Sequence, residues 1–143
     1  MSEPVITWAT AVSENKTTGR AIVFRYAKDF RSDFYRSSLP DRVIVVWTYE
    51  SDSGMPEQTE QAQMNSLENS LAPLLEKSGI GVLVLVSTGE NLREWIFYVT
   101  CEQAFFAIIN KALSDKPPFP IEIHAGPDAD WSSYDLFRSG LAE

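Results

Sequence analysis

His124 is the chain's only histidine, and Asp128 and Asp130 follow it at a spacing that could offer one nitrogen and two oxygens to a divalent metal. Both ends of that set have other uses. His124 shares the polar face of an alternating strand with Glu122, and Asp130 stands where a helix needs a cap, so no metal or cofactor is expected. Cys101 is the only cysteine and cannot form an internal disulfide. At the first turn of a helix the dipole would lower its pKa, but Glu102 opposes that shift, and a packed or half-buried unreactive thiol is expected. Gly79-Ile-Gly81 precedes a strand, whereas phosphate-cradling glycines follow a strand and open a helix. No spacing supports a Ser-His-Asp or Cys-His assignment, and no catalytic residue is nominated.

Arg93 and Glu94 begin a strand that continues through Trp95, Phe97 and Tyr98. A strand that is apolar on both faces leaves an aromatic row on one side of a sheet unless something covers it. An RNA-stacking platform would need basic neighbours, and Glu90, Glu94 and Glu102 are the neighbours here. Basic and aromatic residues interleave only at Phe30 to Arg36, where Asp29, Asp33 and Asp41 nearly cancel the charge, so that stretch reads as an anchoring loop. Nucleic acid is therefore not an expected partner. The N-terminal hairpin, the 28–42 loop or the last helix is expected to cover the row, and a protein or homodimer surface is the competing account.

The elements that must position these residues follow from periodicity. Val5 to Val12 and Arg20 to Tyr26 flank a polar stretch, Ser13 to Gly19, and predict a β-hairpin; residues 28–42 read as a loop with apolar anchors. Val43 to Tyr49 is a central strand. Pro56 suits a first helical position, and Met64, Leu67, Leu71, Leu74 and Leu75 form one stripe ending at Lys77 and Gly79, with a kink or break expected between residues 69 and 73 because of Pro73. Val82 to Val86 and Glu94 to Thr100 form a hairpin about a turn at Gly89. Thr100 and Gln103 have capping-box spacing ahead of the Phe105, Ile108, Ile109, Ala112 stripe. Ile121 to Ala125 alternates as an edge strand, and Asp130 caps a short helix carrying Trp131, Tyr134 and Phe137.

From Val43 the order is strand, helix, strand, strand, helix, strand. This βαββαβ unit predicts an α+β, ferredoxin-like antiparallel sheet with both main helices on one face, extended by the N-terminal hairpin and followed by a short C-terminal helix. The expected organisation is a single domain, 1–143: hairpin and loop over 1–42, ferredoxin-like core over 43–126, and C-terminal helix over 127–143. The expected core is Val45, Trp47, Leu67, Leu71, Val84, Phe97, Phe105, Ile109 and Ile123.

Gly-Glu-Asn-Leu-Arg-Glu-Trp-Ile-Phe-Tyr at 89–98, Asp130-Trp131 with Tyr134, and the strand around Trp47 together resemble the bacterial domain of unknown function number 695 family. That family is similar, in its Gly-Arg-Glu-aromatic-Tyr hairpin and Asp-Trp-x-x-Tyr segment, to the B-type regulator of ribonuclease E activity. Asn91 and Leu92 between the glycine and Arg93 depart from the tighter form. The resemblance implies a ferredoxin-like fold and an inhibitory protein-binding role, and it carries over no catalytic residues.

Charge gives the remaining direction. The 143 residues carry 12 Lys and Arg against 20 Asp and Glu, a net of −8. Residues 1–42 hold seven basic and five acidic groups, leaving five and fifteen for the rest, so the acidity belongs to the later part. Such a surface repels phosphate backbones and attracts basic proteins. The longest apolar run, Ile80 to Val86, is too short to span a bilayer, and the first residues lack a signal-peptide pattern, so a cytoplasmic protein with no membrane contact is expected. The leading expectation is a non-catalytic, acidic protein-binding domain, an inhibitor or regulator of a basic nucleic-acid enzyme such as a ribonuclease, with a surface of Arg93, Glu94, Trp95, Tyr98, Glu57, Glu60 and Glu90. The alternative is an enzyme or small-ligand domain with a pocket near Trp47, Arg93 and Tyr98.

Overall fold

The computed structural model describes residues 5–141, so the first four and last two residues of the expected 1–143 domain lie outside it. Six strands form one sheet: β1 (Ile6–Glu14), β2 (Ala21–Phe30), β3 (Asp41–Thr48), β4 (Gly81–Gly89), β5 (Leu92–Val99) and β6 (Ile121–Pro127). The helices are α1 (Gln58–Lys77), α2 (Glu102–Ala112) and α3 (Ser132–Ser139). The sheet order is β1-β2-β4-β5-β3-β6, and every pairing is antiparallel. Strands β4-β5-β3-β6 have the ferredoxin-like order, and the β1–β2 hairpin adds to it by pairing β2 with β4, Val23 opposite Thr88 through Tyr26 opposite Leu85.

Two apolar layers hold the sheet. On one face Val43, Val45 and Trp47 of β3 and Trp95 and Phe97 of β5 meet Met64, Leu67, Leu71 and Leu75 of α1 and Phe105 and Ile109 of α2. On the other, Val82, Val84, Leu85 and Tyr98 meet Trp131 and Tyr134 of the α3 segment, with Phe30 and Phe34 stacked at 4.8 Å against them. A bulge between Leu83 and Leu85 puts Val84 and Leu85 into this second layer, after which Val86 returns to the first. The aromatic side of β5 is thus covered internally: Tyr98 stacks on Trp131 at 4.1 Å and 12°.

Several local expectations are corrected. The β4–β5 turn is not centred on Gly89 but is the two-residue pair Glu90-Asn91, with φ of 54° and 66°, the geometry that matches strand twist, and so β5 begins at Leu92. Position 89 needs glycine for another reason, because a Cβ there would lie 2.6 Å from the Ala21 carbonyl oxygen. Pro56 sits before the Glu57 cap and not inside α1, and α1 runs unbroken through Pro73, whose exposed ring lies between the buried Leu71 and Leu75 that pin the helix to the sheet. The Thr100–Gln103 box does not form; Cys101 is the N-cap of α2, without a side-chain bond. Residues 28–42 are not one loop, because β2 extends to Phe30, a 3-10 turn spans Arg36–Ser38 and β3 starts at Asp41. Ile123 is only half-buried, since β6 is an edge strand. The other expected core residues are buried.

The cap of α3 is the most consequential correction. Asp130 is exposed and caps nothing; Trp131, at φ 57° and ψ 35°, is the N-cap residue. Asp128 does the capping from four residues upstream. Its carboxylate accepts from the Ser132 amide at 3.1 Å, the Ser132 hydroxyl at 2.7 Å and the Ser133 amide at 3.1 Å.

Candidate functional site

The strand register separates the expected pocket. Trp47 lies opposite Arg93 on neighbouring strands and shares its face, whereas Tyr98, five residues further along β5, points to the opposite face. Trp47, Arg93 and Tyr98 therefore do not line one cavity. The expected surface is divided as well. Arg93, Trp95 and Tyr98 are buried and Glu94 is half-buried. Glu60 accepts from the Trp47 indole at 2.8 Å, while Glu57 and Glu90 are exposed, the latter 3.4 Å from Arg20.

On the Tyr98 side the chemistry is structural. The Tyr98 hydroxyl donates to Asp128 at 2.6 Å, and the Trp131 indole donates to the Leu39 carbonyl at 2.9 Å. Tyr134 donates to the Ala27 carbonyl, and Arg42 to the Ser133 hydroxyl. Burial pushes the Tyr98 hydroxyl pKa up, and its bond to Asp128 pushes it further the same way. Burial also raises the Asp128 carboxyl, but the bonds from Tyr98, Ser132 and Ser133 outweigh it and hold the pKa at about 2.

On the Arg93 side a cleft of about 280 Å³ lies between the N-terminal part of α1 and the β2–β4 strip of the sheet. Arg93 reaches it from β5, Arg25 from β2, Thr88 and Val86 from β4, and Gln61 and Asn65 from α1. Arg93 is 7% exposed; its Nε donates to Thr88 Oγ1 at 2.8 Å, and its guanidinium lies 5.8 Å over the Trp95 ring. Burial, with the neighbouring charge of Arg25, lowers its pKa against the attraction of Glu68. Glu68 is already engaged, accepting from Arg25 at 2.6 Å and from the Trp95 indole at 3.0 Å. Arg25, Thr88, Gln61, Asn65 and Glu68 escape sequence reasoning because the β2–β4 pairing that assembles them is long-range. The only local sign is a glutamate beside Leu67 in an otherwise apolar stripe.

The other nominated groups stand apart. Cys101 is exposed, not packed. His124 is exposed with Nε2 3.5 Å from Glu122, and Asp128 is turned to the α3 cap; among the described residues no group of three His, Cys, Asp or Glu could hold a metal ion. No described helix is long and apolar enough to cross a membrane.

The sheet's outer strand β1 is unlike its other edge. Ile6 to Ser13 contains neither charge nor proline, and Trp8 and Val12 are 40% and 62% exposed. Strand β6 carries Glu122, His124 and Pro127. Near the Glu14 end of β1 the β3–α1 loop and the β4–β5 turn meet through Asn91 donating to the Gly54 carbonyl at 2.9 Å. Exposed Glu50, Asp52, Glu57 and Glu90 come from these two segments.

No curated protein matches the chain. Residues 7–137 match the model of a family of unknown function, DUF695, a span that includes all six strands from Thr7 onward and α1, α2 and most of α3. The chain belongs to that family.

Proposed function

We propose that the chain is a non-catalytic protein-binding domain that takes an extended segment of a basic protein along β1. The observation that carries this reading is the outer edge of β1, uncharged and proline-free from Ile6 to Ser13, with Trp8 and Val12 exposed. Edge strands normally carry lysine, proline, an inward charge or a bulge that discourages pairing; β1 has a bulge between Thr7 and Trp8, and beyond it the uncharged stretch from Trp8 to Ser13 is open to strand addition, where the backbone supplies affinity and alternate side chains supply specificity. Glu14, Glu50, Asp52, Glu57 and Glu90 at one end of that edge favour a basic partner, although Arg20 offsets part of their charge. Taking up the resemblance of this family to the B-type regulator of ribonuclease E activity, we propose a cytoplasmic nucleic-acid enzyme as the partner class, with inhibition or regulation as the outcome.

Affinity capture from cell extract, followed by binding kinetics on the recovered partner, tests the proposal. Val12→Lys with Ser13→Lys should speed dissociation by charging the edge, and Glu57→Lys with Glu90→Lys should mainly slow association. Association should also weaken from about 50 to 300 mM salt as the field is screened. Capture undiminished by the edge variant would refute strand addition. A concentration-dependent dimer abolished by that variant would instead assign the edge to a second copy.

A further inference from the structure

The cleft beside Arg93 lies on the helix-facing side of the sheet, with Thr10 of β1 as one wall, and has an unusual composition for a protein of net charge −8: among the described residues two arginines line it and no carboxylate does. Among the described residues the two terminal amino groups of Arg93 have no hydrogen-bond acceptor and no ion pair forms with Arg93, whose guanidinium donates only through Nε to Thr88 and lies over the Trp95 ring. Among the described residues no buried side-chain nitrogen or oxygen is left without a partner, so these amino groups reach the cleft surface although the residue is 93% buried. A guanidinium with so little access to water is poorly hydrated, and a bound anion would pair with the amino groups that face the cleft.

Size and charge set the class of that anion. Arg25 is neutralised by Glu68 at 2.6 Å, leaving a single net positive charge facing the cleft, which matches a monoanion better than a phosphate dianion. The two terminal N–H groups of a guanidinium present a planar fork that fits a carboxylate bidentately. Val23, Val86 and Met55 supply apolar walls, and the Gln61 and Asn65 amides stand at the α1 side. A volume of about 280 Å³ lies just below the usual range for ligand sites and admits only a small molecule. We propose that this cleft binds a small organic monocarboxylate with a short branched apolar body, its carboxylate on the terminal amino groups of Arg93 and its body against Val23 and Val86.

The probe is isovalerate, with isovaleramide as its uncharged isostere and inorganic phosphate as the competing anion, titrated into the full chain labelled with ¹⁵N-arginine. Isovalerate should shift the Arg93 Nε–H resonance saturably, with a dissociation constant of about 10 mM or tighter. Isovaleramide should not. Asn65→Asp or Gln61→Glu places a carboxylate at the cleft from an exposed helix position that leaves the fold intact, and each should weaken isovalerate binding about tenfold or more by competing for the guanidinium. Absence of a saturable shift, an equal response to the amide, or binding unchanged in both α1 variants would overturn the proposal. Saturable binding of phosphate without isovalerate would overturn the carboxylate assignment.

Discussion

Replacing Asp128 by alanine tests whether one carboxylate fastens the whole α3 side of the sheet. Two separable losses follow. The first is the cap: the amides of Ser132 and Ser133 lose their acceptor, a change that costs about 1 kcal/mol. The second is the Tyr98 hydroxyl, on a residue that is 0% exposed, which loses its only acceptor and costs about 1 to 3 kcal/mol as an unsatisfied polar group. Together they give about 2 to 4 kcal/mol, readable as a lower urea midpoint with unchanged slope. In a Tyr98→Phe background the hydroxyl is already gone, so Asp128→Ala should then cost only the cap, about 1 kcal/mol, and the difference between backgrounds is the coupling. The pH dependence has a fixed sign. The Asp128 pKa is depressed from the ordinary 3.8 to about 2, so the contribution is complete above the unfolded value and disappears as pH falls through the folded one. Wild type and Asp128→Ala should differ by a constant amount from about pH 7 to 5 and converge between about pH 4 and 2. Asp130→Ala should match wild type throughout. Equal losses at Asp128 and Asp130, or a gap that persists unchanged at pH 2, would refute this account of the cap.

The remaining expectations use the same denaturation assay. Trp131→Ala should cost about 3 to 5 kcal/mol, since its fully buried ring stacks on Tyr98 and meets Phe30, Phe34 and Tyr134 edge-on; an intact midpoint would make it a surface anchor instead. Leu71→Ala should cost about 2 to 5 kcal/mol through transfer energy and cavity, and no change would place the α1 stripe elsewhere. Glu68→Ala should cost about 1 to 3 kcal/mol by stranding the buried Trp95 indole, with Glu68→Gln milder because its amide oxygen still accepts; equal effects would show that charge alone matters.

The ferredoxin-like order was legible because each element announces itself locally: the β-branched run at Val43, the leucine stripe of α1, the alternation of Ile121 and Ile123. Pairing by hydrophobic pattern then fixes which face of each strand is buried. Local signals failed where two candidates for one role lie close together. Asp130 directly precedes Trp131 and looks like its cap, but Trp131 adopts a left-handed conformation that turns the chain, so the carboxylate able to reach the first amides is Asp128. Likewise Gly89 draws the turn toward itself, although Glu90 and Asn91 adopt positive φ while glycine is needed for the approach of Ala21. The candidate site failed for a different reason. Arg93 was identifiable by its place in a strand of aromatics, but Tyr98 is tied to it by nearness in sequence and not by face, since period-two alternation sends it away, and Trp47, which does share the face, is held by Glu60.

What neither pattern nor motif could supply is the consequence of adding β1 and β2 to a four-stranded unit that already has two helices. Helices α1 and α2 pack on the ferredoxin-like strands, and their apolar stripe ends at Leu83 and Val86 of β4. Two further strands extend the sheet beyond that cover, so Arg25 and Thr10 on the helix-facing side stand against only the flank of α1 and not its apolar stripe, and a cleft remains there. On the other face α3 reaches across to β2, where Phe137 meets Phe24 at 5.2 Å and Tyr26 at 5.6 Å, and Tyr134 holds the Ala27 carbonyl. Hence the hairpin is anchored firmly on one side and left partly uncovered on the other, with β1 outermost. The buried arginine cleft and the open, uncharged edge from Trp8 to Ser13 are two results of this single asymmetry. The cleft lies where the hairpin joins the ferredoxin-like unit and the edge on the hairpin's far side, and neither lies at the β5 aromatics, which α1 and α3 have already consumed as core.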